Sequence, residues 1–163
     1  MWAIPEDLNE QFEASTDRAA AIVGGAYVEE CLLRALKWHL HKDTKHFDRL
    51  FHHSGPLSSF EMRIRIAVLV GLINGEFAHD LLIIKDVRNE FAHKLDLQSF
   101  DAQKISSWLN NLSLLTINRG FLALAEKRDP TPREIFQGAA GEAGGMLSAR
   151  RPTMMPTPPT YRS

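Results

Sequence analysis

Apolar residues recur at spacings of three and four along most of the chain, and capping or turn residues separate the runs they mark. Ser15, Thr16 and Asp17 offer N-cap oxygens to a long helix that runs to about residue 41, with Ile22, Ala26, Leu33, Leu36 and Leu40 as its apolar stripe. Gly24–Gly25 weakens that helix by roughly 1 kcal/mol per glycine and suggests close approach of a neighbour. A short helix over "KHFDRLFHH" is closed by Ser54, Gly55 and Pro56. "SSFEMRIRIAVLVGLI" reads as the next helix, with Ser58 or Ser59 as cap and Asn74–Gly75 as terminator. Residues 76–93 form another. "DAQKISSWLNNLSLLTINRGFLALAEKR" forms a long last one from Asp101, with Ile105, Trp108, Leu109, Leu112, Leu115 and Leu122 on one face.

No strand-like alternation and no internal repeat stands out. The pattern predicts an all-α protein, a single helical bundle of about five helices with a disordered C-terminal tail. Residues 1–14 form an N-terminal arm, 15–128 the bundle, and 129–163 the mostly disordered tail, with room for one turn in "DPTPREIF". From about residue 138 onward Gly, Ala, Pro and Met replace large apolar residues, leaving little to offset the entropy of ordering. That tail carries Arg150, Arg151 and Arg162 against Glu142.

Composition narrows the picture only modestly. The chain has 163 residues, 44% hydrophobic and 24% charged, with a formal net charge of −1. Such a length supports a core without disulfides or metal staples. A protein living on phosphate contacts usually carries a basic surplus, which is missing here. The single cysteine, Cys31, excludes an intrachain disulfide and fits a reducing compartment. "MWAIPEDLNEQ" has neither a cationic head nor an apolar core, so no signal peptide is expected, and no apolar run approaches the roughly 18 residues of a membrane span. The expectation is a cytoplasmic protein away from membranes.

One position breaks the pattern. Phe77, Leu81, Ile84, Arg88, Phe91 and Leu95 share a helical face, so Arg88 interrupts a core-directed stripe. A guanidinium there needs a partner, because an unpaired buried charge costs about 3–5 kcal/mol. Glu29 and Glu30 of the first long helix are the candidates for a structural ion pair that clamps two helices. The adjacent face carries Leu82, Asp86, Asn89 and His93. Arg88 and His93 are five residues apart, about 140° around an ideal helix. Both could address one ligand only if the helix ended near His93 or a second subunit completed the site. At a helix end, His93 also suits the free carbonyls of the last turn.

"GAYVEECLLRAL", "SGPLSSFEMRIRIAVLVGLI" and "HDLLIIKDVRNEFAHKLD" together resemble the mannitol operon repressor family of bacteria, over roughly residues 15–128. The "LIIKDVRNEFAH" block and the "SGPL" turn are the most specific part, while residues 39–53 and the tail fall outside the match. The resemblance implies a small all-helical protein associated with repression of mannitol uptake and utilisation. It points to a non-enzymatic transcriptional regulator that works through a protein partner and forms a homodimer. A narrower pattern, Arg88-Asn89 followed by His93, is similar to the R-x(4–6)-H motif of HEPN-domain proteins, which include metal-independent ribonucleases. That alternative would have Arg88 hold phosphate, His93 act as general acid–base for attack of a 2′-OH, and Asn89 serve as its polar neighbour. RNA is a partner only on that alternative.

Direct DNA reading is not expected. In the helix–turn–helix outline of "EMRIRIAVLVGLINGEFAHDLLIIKDVR", the second helix opens with Glu76, Phe77, Ala78, His79 and Asp80, acidic and apolar where a recognition helix needs basic and polar groups. Nor do the seven histidines suggest a metal. His39 and His41 point to different helix sides, His52 and His53 are consecutive, and no zinc-ligand spacing recurs. Arg63 and Arg65, with Arg49 and Lys45, read as a solvated face. No cofactor-binding pattern appears.

Overall fold

A computed structural model describes residues 9–12, 15–40, 44–97, 99–113, 123 and 127–150. The protein is all-α, with α1 (Asp17–His39), α2 (Thr44–Phe51), α3 (Phe60–Leu69), α4 (Gly75–His93), α5 (Gln103–Asn110) and α6 (Pro132–Ala149) among the described residues, and residues 9–12 also helical. None of these helices is long and apolar enough to cross a membrane.

Local chemistry sets the boundaries. Thr16 caps α1 by accepting from the Ala19 N–H, and Ser59 caps α3 by accepting from Met62. α3 ends at Val70 and Gly71, the latter with φ of +73°, a backbone that favours glycine. Asn74, expected to terminate the preceding helix, instead opens the next one: its side chain accepts from the Phe77 N–H at 2.9 Å. Asn suits either end of a helix, and the left-handed turn had already been made at Gly71.

The expected burial stripe of α1 holds at Leu36, with Leu33 and Leu40 packed against the core, and is corrected in its first half. Ile22 and Ala26 are exposed, whereas Ala20, Ala21, Gly24, Gly25, Val28, Cys31, Leu32, Ala35 and Leu36 are buried. The buried face is the one with small side chains, because another helix lies closely against it.

That helix is α6, and it corrects a second expectation, that the ordered chain ends near Arg128. Residues 132–149 form a helix with a full capping box. Thr131 accepts from the Glu134 N–H, the Glu134 carboxylate accepts from the Thr131 N–H, and Pro132 occupies the first turn. α1 and α6 make the most extensive pair among the described helices. Gly144 lies where a Cβ would meet the Tyr27 ring at 2.2 Å, and a Cβ on Gly24 would meet Phe136 at 2.8 Å. The ring of Phe136 continues the core through Phe100 to Phe91, with centroids 5.2 and 4.8 Å apart. Ala139, Ala140 and Ala143 are fully buried along the same seam. Residues 151–163 of the expected tail lie outside the described residues.

The expected helix from Asp101 to Arg128 is also shorter where it is described. It starts at Gln103 and ends at Asn110, and at Ser113 the backbone N–H and the hydroxyl both donate to the buried Asp80 carboxylate, at 2.9 and 3.1 Å. Leu115 and Leu122 lie outside the described residues. Most of the expected N-terminal arm does too, but Phe12 is in the core, 1% exposed. Arg133 of α6 fastens this region. It donates to Asp17 at 2.8 Å, to the Ser15 carbonyl at 2.8 Å and to the Phe12 carbonyl.

Candidate functional site

α4 brings the arginine of the opening pattern against α1 and α3. Phe77, Leu81, Ile84, Val87 and Phe91 are fully buried, and Arg88 sits among them at the half-buried edge. Its stem crosses α1 at Gly25, where an added Cβ would lie 2.6 Å from both Cβ and Cγ of Arg88. Gly25 therefore leaves the room in which this side chain runs along the helix toward an acid. Arg88 Nη2 donates to Glu29 Oε2 at 2.8 Å, with side chains 26% and 22% exposed. The guanidinium also lies 6.0 Å from the Phe60 ring centroid.

Glu29 has a second partner that the sequence did not suggest. Arg63 Nη1 donates to Glu29 Oε1 at 3.1 Å. Its Nε donates to the Leu57 carbonyl at 3.0 Å, and its Nη2 reaches the Phe51 carbonyl at 3.4 Å. One carboxylate thus joins α1, α3 and α4, and Arg63 extends the junction to the loop after α2. Arg63 was expected on a solvated face; its side chain is 11% exposed. Glu30 does not join the junction. It pairs with Arg34 one turn further along α1, on the exposed side.

The polar face of α4 is separate. α4 ends at His93, its last helical residue, so the five-residue step from Arg88 to His93 still lies within the helix and keeps its angle of about 140°. His93 is exposed in the last turn, Asn89 is half-buried, and Arg88 points to Glu29. Within one subunit the three residues are not brought together around a common point. Nearby, Glu61 of α3 takes Lys85 of α4 at 2.9 Å and Arg65 at 2.6 Å, and these two cations hold its carboxyl down at about 2. Glu90 is shared by Lys94 and Lys104, which also lower its pKa.

Two acids lie deeper. Asp80 is fully buried and accepts from Ser113, and Glu142 of α6 is 6% exposed. Burial raises the pKa of Glu142, and the charge of Asp80 raises it further. Its Oε2 has no hydrogen-bond partner among the described residues. A neutral carboxylic acid is the form this environment favours. No group of three or more histidines, cysteines or carboxylates able to hold a metal occurs among the described residues.

No protein-family model matches the chain, and no curated protein matches it. Among solved structures, the X-ray structure of the MtlR–HPr complex from Escherichia coli is similar to it with a TM-score of 0.68. The match has 16% sequence identity and covers 86% of this chain and 95% of that one. The fold is MtlR-like: an all-helical bundle whose match extends over nearly the whole of the known chain.

Proposed function

We propose that this protein is a non-enzymatic, cytoplasmic transcriptional regulator of the mannitol-repressor type, acting through protein–protein contacts. The observation that carries the reading is the likeness of its fold to MtlR, which was solved in complex with HPr. A partner of the HPr kind, and self-association as a homodimer, belong to the same reading. The charge pattern supports it. The helix that would have to read DNA, α4, exposes Glu76 and His79 in its first turns and buries Phe77, Ala78 and Asp80. The direct test is titration of the purified chain with HPr from the same organism, followed by calorimetry. A saturable complex is expected, and no binding at protein concentrations of about 100 µM would remove the reading.

The ribonuclease alternative asks Arg88 to hold phosphate beside His93. A guanidinium already bonded to Glu29, and about 140° around the helix from His93, does not support that arrangement within one subunit; the end of α4 at His93 and a second subunit are the routes left to it. Single-stranded RNA incubated without metal is expected to survive intact. Cleavage by the wild type that disappears in His93→Ala would replace the regulator with a nuclease.

A further inference from the structure

α3 carries apolar side chains on both of its sides. Phe60, Ile64 and Ala67 face the core, while Met62, Val68 and Leu69 are 42%, 37% and 81% exposed. A single exposed apolar side chain is ordinary on a globular protein. Three on one ten-residue helix form a patch, and Met62 and Leu69, seven positions apart, stand on one line two turns long. The fold does not call for a leucine at position 69. Gly71 makes the turn after α3, and Leu72 and Ile73 supply the buried side chains of that corner.

The neighbouring face of α4 adjoins this line. Leu82, Asp86 and Asn89 are its half-buried outward positions, and Lys85 reaches across to α3. Arg65, Glu61, Lys85 and Asp86 are linked in that order, by ion pairs of 2.6, 2.9 and 3.0 Å. They form a ribbon of alternating sign that begins on α3 with a cation and ends on α4 with an anion. Turned through 180° and set against itself, such a ribbon places Arg65 opposite Asp86 and Glu61 opposite Lys85. The same rotation lays the Met62–Leu69 line of α3 over the Leu82–Asn89 line of α4.

These features select the occupant. A nucleic acid or an anionic membrane surface calls for a basic surplus, and this ribbon has two charges of each sign. A second copy of the face calls for none, because an isologous contact requires only that the surface complement itself. With α4 at 19 residues and α3 at 10, the face covers about 400 Å² in flat projection. A standard interface takes about 800 Å² of accessible surface per partner, so this one suits a reversible contact.

We propose that the outer face of α3 and α4 is where two copies of this chain meet, in a reversible two-fold dimer. Leu69 and Met62 form its apolar seam, and Arg65 faces Asp86 of the second copy. The inference rests on the self-association that belongs to the regulatory reading, and gives that self-association a surface.

Sedimentation velocity of the full chain from about 1 to 500 µM is expected to show monomer passing to dimer, with a midpoint of about 10–100 µM. Leu69→Asp, at a position too exposed to disturb the core, is expected to weaken the dimer at least about tenfold. Ile22→Asp, at an exposed apolar position on α1, is expected to leave it unchanged. Arg65→Glu and Asp86→Lys are each expected to weaken the dimer about three- to fivefold and, when combined, to restore it. Loss of structure could not give that recovery. The proposal is overturned if the chain stays monomeric at about 500 µM, whether the face is open or covered by another part of the same chain. It is also overturned if a dimer forms that Leu69→Asp leaves unchanged, or if the combined exchange restores nothing. A monomer that still binds HPr in calorimetry overturns this surface and leaves the regulatory reading standing.

Discussion

Glu29 and Glu30 are neighbours in sequence, yet they occupy different electrostatic worlds. Glu29 accepts from Arg88 and Arg63 at a three-helix junction, and Glu30 accepts from Arg34 in solvent. Glu29→Gln leaves two half-buried guanidinium groups facing a neutral amide. It is expected to destabilise the fold by about 2–4 kcal/mol in urea denaturation. Glu30→Gln is expected to cost no more than about 0.5 kcal/mol; equal losses for the two would show that the junction is not what holds these helices. The sequence offered both acids because neighbouring helical residues lie about 100° apart and either could have faced Arg88. Deciding between them required the true phase of α1. Glu29 stands one turn after Gly25, the residue that admits the Arg88 stem. A stripe drawn through Ile22 and Ala26 hides that alignment.

Glu142 is the other residue whose surroundings govern its behaviour. Its folded pKa is raised above the unfolded value, so the folded state holds the proton more tightly than the unfolded state does. Stability is therefore fullest below the unfolded pKa and declines as pH rises through the folded one. Glu142→Gln keeps the shape without the titration. It is expected to be more stable than the wild type at pH 8 and to lose that advantage near pH 4, as read from thermal unfolding in matched buffers.

At the scale of the element, α4 and α6 show which helices a sequence reveals. α4 announces itself by Phe77, Leu81, Ile84 and Phe91 at helical spacing, and its observed bounds, Gly75–His93, nearly coincide with those read from the pattern. α6 buries mainly alanine and glycine, whose small apolar area carries little weight in a hydrophobic pattern. Its stability comes from close backbone approach to α1, which no single-helix pattern displays. The available signal was at its start, where "TPRE" matches a capping box with proline in the first turn. Thr131→Ala is expected to cost about 1 kcal/mol. Gly144→Ala should cost more, because its methyl would enter the Tyr27 ring and that ring is packed between two helices. A stability gain from Gly144→Ala, as alanine's helix propensity alone would give, would contradict the close α1–α6 seam.

For the molecule as a whole, the titrating groups act in opposite directions. Glu61 is held at about 2 chiefly by Lys85 and Arg65, and Glu134 at about 2 chiefly by Arg128. Lys94 and Lys104 depress Glu90. These depressed carboxyls contribute stability that is present above their unfolded pKa and lost as pH falls toward about 2. Glu142 contributes stability lost on the alkaline side of its unfolded pKa. A midpoint-temperature profile is therefore expected to peak near about pH 5 and to fall on both sides. A flat plateau from there to pH 8 would show that Glu142 is not held neutral.

The seam between α1 and α6 also sets an order of events during synthesis. Asp17 and Arg133, which meet across it, are 116 positions apart. At about 5–20 residues per second a ribosome delivers the second roughly 6–23 seconds after the first. Throughout that interval the Ala/Gly face of α1 has been translated and its cover has not. This seam thus closes only once α6, the last of the described helices, has been made, and a nascent chain halted between α5 and α6 would present to chaperones and proteases the surface that α6 covers.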